Sequence, residues 1–160
     1  MLERRCPECG FDATTVRPAE VKNRVYANGS AWQPVLRRRD ATTRPRPEVW
    51  SPLEYACHVR DVHRVFGLRV WLMLSEDDPE FADWDQDRAA VDGRYAEQDP
   101  ATVAAELAEA AAEVSQVYAG VLPEQWARPG RRSNGSVFTV ESIARYHLHD
   151  VEHHLFDVSG

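Results

Sequence analysis

Apolar positions along this chain recur mostly in steps of three and four, and four long segments carry that helical period. The first begins near Pro18, a favourable first-turn position, and is predicted to run to about Arg39 with Val21, Val25, Trp32, Val35 and Leu36 as its buried stripe. Asn28-Gly29-Ser30 and Pro34 weaken its middle and predict a kink. A linker with Pro45 and Pro47 follows. Ser51-Pro52-Leu53-Glu54 then starts a second helix, because Ser51 can cap, Pro52 suits the first helical position and Glu54 completes a capping box. That helix should reach Ser75. Asp99-Pro100 opens a third, ending near Tyr118 or Gly120, with Val103, Leu107, Val114 and Val117 inward. Thr139 can cap a fourth, from Val140 to about Val158.

The connections are long. Residues 76–98 are acidic and irregular, with Trp84 as an anchor onto the core, and a loop of that length predicts a short helix hidden within it. Asn134-Gly135 marks a tight turn, consistent with a small hairpin. The expected fold class is all-α: a four-helix bundle with long connections, preceded by a short cysteine-containing loop. At 160 residues the chain reads as a single domain, 1–14 being the loop and 15–158 the bundle.

Charge narrows the function classes. The net charge is −7, yet residues 1–50 hold ten basic side chains against six acids, whereas residues 76–99 hold ten acids against two arginines. Nucleic-acid binding needs a basic face, and the only candidate is Arg37-Arg38-Arg39 with Arg44 and Arg46. Cations in the last turn of a helix account for that run better, so nucleic acid is not the expected partner. No stretch is long and apolar enough for a membrane helix, and the first residues lack a secretory apolar core. A cytoplasmic location, with no membrane partner, is the expectation.

The six histidines change the picture most. Four of them, His147, His149, His153 and His154, fall within eight residues of the last helix. Side chains four apart share a helical face, so His149/His153 and Asp150/His154 are both candidate chelating pairs. Ile143, Tyr146, His149, His153 and Phe156 read as the inward stripe, which favours His149/His153. His58 reads as the third ligand, on a face with Val62, Val65 and Leu72 of the second helix, while His63 should point elsewhere and be exposed. Three protein ligands with one open position is the pattern of a catalytic zinc site.

Two segments also resemble a known family. Trp50-Ser51-Pro52-Leu53-Glu54-Tyr55-Ala56-Cys57-His58 is similar to the segment that opens the second helix of DinB/YfiT-like metalloenzymes. His149-Asp150-Val151-Glu152-His153 is similar to the histidine, acid, two residues, histidine of their last helix. The resemblance spans about residues 15–158. It implies an open three-histidine site for one divalent ion, zinc first and nickel second, carried here onto His58, His149 and His153. It further implies a metal-dependent enzyme, a thiol S-transferase or a hydrolase acting on a small-molecule substrate, with a low-molecular-weight thiol such as mycothiol as co-substrate, and a homodimer. The opposing class is a non-catalytic metal- or ligand-binding protein. Leu155-Phe156 stand where many members carry Gly-Gln, a departure on the substrate side of the pocket.

Two carboxylates lie near these ligands. Glu54, one turn before His58, could orient it or carry protons, or could simply complete the capping box. Asp157, one turn beyond His153, could support a ligand or act as one. Cys6 and Cys9 form a CxxC followed by Gly-Phe, similar to one knuckle of a zinc ribbon. With no second CxxC, three readings stand: a half site completed by histidines or another subunit, a redox pair, or plain loop thiols. Cys57 reads as a small buried apolar residue.

Overall fold

A computed structural model describes residues 3–159. The helices are α1 (Pro18–Leu36), α2 (Pro52–Ser75), α3 (Gln86–Asp92), α4 (Pro100–Ala119) and α5 (Val140–Ser159). Short strands β1 (Glu80–Phe81), β2 (Pro129–Arg132) and β3 (Val137–Thr139) form a small sheet in the order β1-β2-β3. β1 and β2 are parallel, and β2 and β3 form the hairpin read from Asn134-Gly135, with Gly135 at φ +90°. α1, α2, α4 and α5 make the bundle, with α4 packed along both α1 and α2. Among the described residues no helix is long and apolar enough to cross a membrane.

The caps follow their sequence signals. Ser51 accepts from the Glu54 amide while the Glu54 carboxylate accepts from the Ser51 amide, so two orphan donors at the start of α2 are satisfied reciprocally. Asp99 caps α4 through the Thr102 amide, and Thr139 accepts from the Ser142 amide at the start of α5. Asp85 caps α3, the short helix expected inside residues 76–98.

α1 departs from its predicted course in two ways. It ends at Leu36 rather than near Arg39, and Arg37 forms its C-cap. It also runs unbroken through Asn28-Gly29-Ser30. Gly29 serves close approach instead: a Cβ there would stand 2.5 Å from the Ala111 side chain of α4. Part of the arginine-rich segment is engaged locally, while Arg37 and Arg39 are exposed. Arg38 bonds Asp40 and donates to the Val158 carbonyl near the end of α5, and Arg44 pairs with Glu54.

His63 corrects the expectation of exposure, since it is fully buried. It belongs to a chain of polar side chains drawn from all four bundle helices. Asn28 Nδ2 donates to the Val151 carbonyl (3.0 Å), which leaves Asn28 Oδ1 to accept from His63 Nε2 (3.2 Å). His63 Nδ1 must then accept from His147 Nε2 (3.0 Å), and His147 Nδ1 from the Tyr118 hydroxyl (2.9 Å). Every donor has one acceptor only if both rings are neutral. Burial, the main cause, holds His63 down to about 3 and His147 well below the ordinary histidine value.

The predicted stripes are rotated from the real ones. On α5 the core side is Val140, Ile143, Ala144, His147, Leu148, Val151 and Val158, so Ile143 is inward as expected, whereas Phe156 is 51% exposed. On α2, His58 and Val62 of the expected face are buried, but the buried side extends round to Val59, Phe66, Val70 and Met73, while Val65 and Leu72 are only half-buried. Tyr146 and Phe156 are large apolar side chains at the margin of the bundle, so counting them as core turned the inferred face of α5.

Candidate metal centre

At 100° per residue, the rotation of α5 fixes what each histidine meets. Asp150 and His154 lie roughly 100° and 60° from Val151, at the flank facing α2, while His149 and His153 lie roughly 160° from it, on the side away from the core. The sequence-derived trio of His58, His149 and His153 is accordingly divided between two clusters. His58 joins Asp150 and His154, and His149 and His153 join Cys6 and Cys9; within each cluster the ligand atoms all lie within 4.8 Å of one another.

His58 enters the first cluster from the second turn of α2. It is 1% exposed, and neither ring nitrogen has a hydrogen-bond partner, although its Nε2 stands 3.4 Å from Asp150 Oδ1. Asp150 Oδ1 is also buried without a hydrogen bond, and His154 Nε2 lies 3.4 Å from it. Buried polar atoms left unpaired are costly, and His58 Nε2 and Asp150 Oδ1, which face each other beside His154 Nε2, form a donor set suited to a cation. The cluster is walled by aromatic rings. Trp84 stacks on His58 at 5.7 Å, Trp50 lies 5.5 Å from it, and Tyr55 lies 5.2 Å from His154. Trp84 is thus the anchor expected within the acidic loop, and it lands on the site itself.

Electrostatics favour the ligating protonation states. Burial raises the Asp150 carboxyl, but contact with His58 and the neighbouring His154 outweighs that, so its pKa lies below the ordinary carboxylate value. Burial is the largest influence on His154 and lowers it, against the opposing pull of Asp150. A neutral imidazole and an ionised carboxylate are the forms that bind metal. Asp157 Oδ2 accepts from His154 Nδ1 at 3.0 Å, leaving Nε2 as the lone-pair nitrogen facing Asp150.

The second cluster joins the N-terminal loop to α5. The Cys6 amide donates to the Phe11 carbonyl (2.8 Å), the Gly10 amide to the Cys6 carbonyl (3.0 Å), and Gly10 at φ +76° closes the turn. Backbone amides of Cys9 and Glu8 approach the Cys6 sulfur and are the main reasons its thiol falls to about 6. Cys6 Sγ is 3.7 Å from His153 Nδ1. On the far side of that ring, Nε2 lies 3.2 Å from Glu8 and 3.5 Å from Asp157. Phe11, buried, stacks on His149 at 5.0 Å, and His149 Nε2 is shielded from solvent without a partner.

A cavity of about 700 Å³ is lined by residues of both clusters. Asp150 and His154 of the first cluster and Cys6, His149 and His153 of the second all line it, together with Arg4 and Arg5. Glu54 lies outside both clusters, its carboxylate taken by Arg44 and the Ser51 amide. Cys57 is buried, and burial pushes its thiol up to about 12. The residues that sequence reasoning set aside are Asp150 and His154. Their i,i+4 spacing was visible; the direction in which they point was not.

Known proteins agree with this architecture. A search of curated protein sequences finds no match. Among solved structures the fold is similar to YfiT from Bacillus subtilis, with a TM-score of 0.72, 20% sequence identity, and 89% of this chain and 83% of that one covered. That protein is described as a probable metal-dependent hydrolase with an unusual four-helix bundle topology. The sequence profile of the DinB superfamily matches residues 31–156, so the chain belongs to the DinB superfamily.

Proposed function

We propose that this protein is a metal-dependent enzyme in which His58, Asp150 and His154 hold one divalent ion beside the cavity and a small molecule reacts there. The observation that carries the reading is His58: a fully buried ring with two unpartnered nitrogens, facing a buried carboxylate oxygen that also lacks a hydrogen bond. Two imidazoles and a carboxylate suit zinc, nickel or iron, and three protein ligands leave a coordination position toward the cavity. When bound, the ion supplies Lewis-acid activation of a water or of a low-molecular-weight thiol. The description of YfiT favours water, and hydrolysis is the first reaction to test. Transfer of a thiol to a small electrophile is the second.

The chain's own groups do the rest. Asp157 holds the His154 ring in one tautomer, and Trp84 and Trp50 shield His58 from water. Arg4 and Arg5 place positive charge on the cavity wall, which suits an anionic substrate.

Elemental analysis of untagged protein tests the site. H58A and D150N should each lower the metal content by one ion per chain and abolish activity in a screen of small anionic esters, amides and electrophiles, with and without added thiol. Full metal content in both variants would overturn the assignment.

A further inference from the structure

We infer that Cys6, Cys9, His149 and His153 form a second, closed metal site that binds zinc and fastens the N-terminal loop to α5. The donor set is two thiols and two imidazoles whose ligand atoms all lie within 4.8 Å of one another. Tetrahedral zinc, with bonds of about 2.3 Å to sulfur and about 2.1 Å to nitrogen, spaces its ligands by about 3.4 to 3.8 Å. Cys6 Sγ and His153 Nδ1 already stand 3.7 Å apart.

Independent features point the same way. The shielded, unpartnered Nε2 of His149 needs a partner that no group among the described residues supplies. The loop around Cys6 is a closed turn, with the Cys6 amide donating to the Phe11 carbonyl, the Gly10 amide to the Cys6 carbonyl and Gly10 at φ +76°, and both cysteines are free thiols. His153 turns one nitrogen toward Cys6 and the other toward Glu8 and Asp157, the carboxylate–histidine arrangement that orients metal-binding imidazoles. Four protein donors leave no position for a substrate, so this site is structural. Its effect is architectural: Cys6, Pro7 and Glu8 line the cavity shared with Asp150 and His154, and zinc would lock that wall in place. Soft thiolates also select zinc here, against the harder set of two imidazoles and a carboxylate next door.

The test uses the full chain, untagged, grown with zinc and separately loaded with cobalt. Two ions per chain are expected in the parent protein, one in C6S/C9S and one in H58A/D150N. Cobalt-loaded parent and H58A/D150N should show thiolate-to-cobalt charge-transfer absorption in the near ultraviolet, and C6S/C9S should lack it. Because the double serine variant could disturb the loop, alkylation of the unmutated chain provides a second reading: zinc should protect Cys6 and Cys9, and chelation should expose them. Absence of the charge-transfer band in the parent, equal alkylation with and without zinc, or a Cys6–Cys9 disulfide in the isolated protein would each overturn the inference. If the band persists while H58A/D150N loses no metal, the proposed active site fails and the second site stands.

Discussion

Both oxygens of Glu54 are engaged, with two contacts to Arg44 and one hydrogen bond from the Ser51 amide, and the side chain is nearly inaccessible to solvent. Its position one turn before His58 made it a candidate proton carrier, but its neighbours make it a helix cap and a buried ion-pair partner. E54Q keeps the shape while removing the charge that Arg44 and the amide contact. The expected outcome is a stability loss of about 1 to 3 kcal/mol, read from urea midpoints, with metal content unchanged. Loss of metal at unchanged stability would instead return Glu54 to the site. At this scale the sequence was informative where a residue's role is local. The Ser51-Pro52-Glu54 start and the Asn134-Gly135 turn depend on near neighbours in the chain, and both were legible. Whether His63 is buried depends on Asn28 and His147, far away in sequence, and it was not.

The four bundle helices are tied together by Asn28, His63, Tyr118 and His147, one residue from each. This tie admits a single set of donors and acceptors, so it pins the rotation of α5 against α2 and thereby sets which side chains of α5 meet His58. It also makes the bundle acid-sensitive. The folded-state pKa of His63, about 3, lies below the ordinary 6.5, so the folded form binds fewer protons than the unfolded chain in between. The stabilisation is complete above about 6.5 and is lost as pH falls toward about 3. Asn28 and His147 contact the ring directly, Tyr118 closes the far end, and Asp150 alone pulls toward protonation. In metal-free protein the unfolding free energy should fall by about 1.4 kcal/mol per pH unit for each of the two histidines that stays neutral. A urea midpoint that does not move with pH across that window would contradict the scheme. The helical pattern located α2, α4 and α5 closely, yet it could not assign the phase of α5. Two chelating pairs one residue apart look alike in a sequence, and Tyr146 and Phe156 imitate a core stripe while lying at the bundle's margin.

On the scale of the whole molecule, α5 faces two different environments with adjacent residues. One flank meets α2 in the bundle, and the opposite side is covered by a loop whose sequence lies some 140 residues earlier. Periodicity measures only the division between inside and outside, so a helix side roofed by a terminal loop registers as ambiguous. This explains why the sequence showed that α5 carries two candidate chelating pairs but not which pair faces α2.

The segment from His149 to His154 has no idle position. Two residues serve the loop cluster and two the bundle cluster, Val151 is fully buried, and Glu152 pairs with Arg24 of α1. Such crowding should leave a trace in ancestry. Related chains without the N-terminal cysteine pair are freed from one of these duties, so their counterparts of His149 and His153 should drift together while those of Asp150 and His154 hold. An alignment in which all four drift or hold regardless of the cysteines would show that the two obligations were never separate.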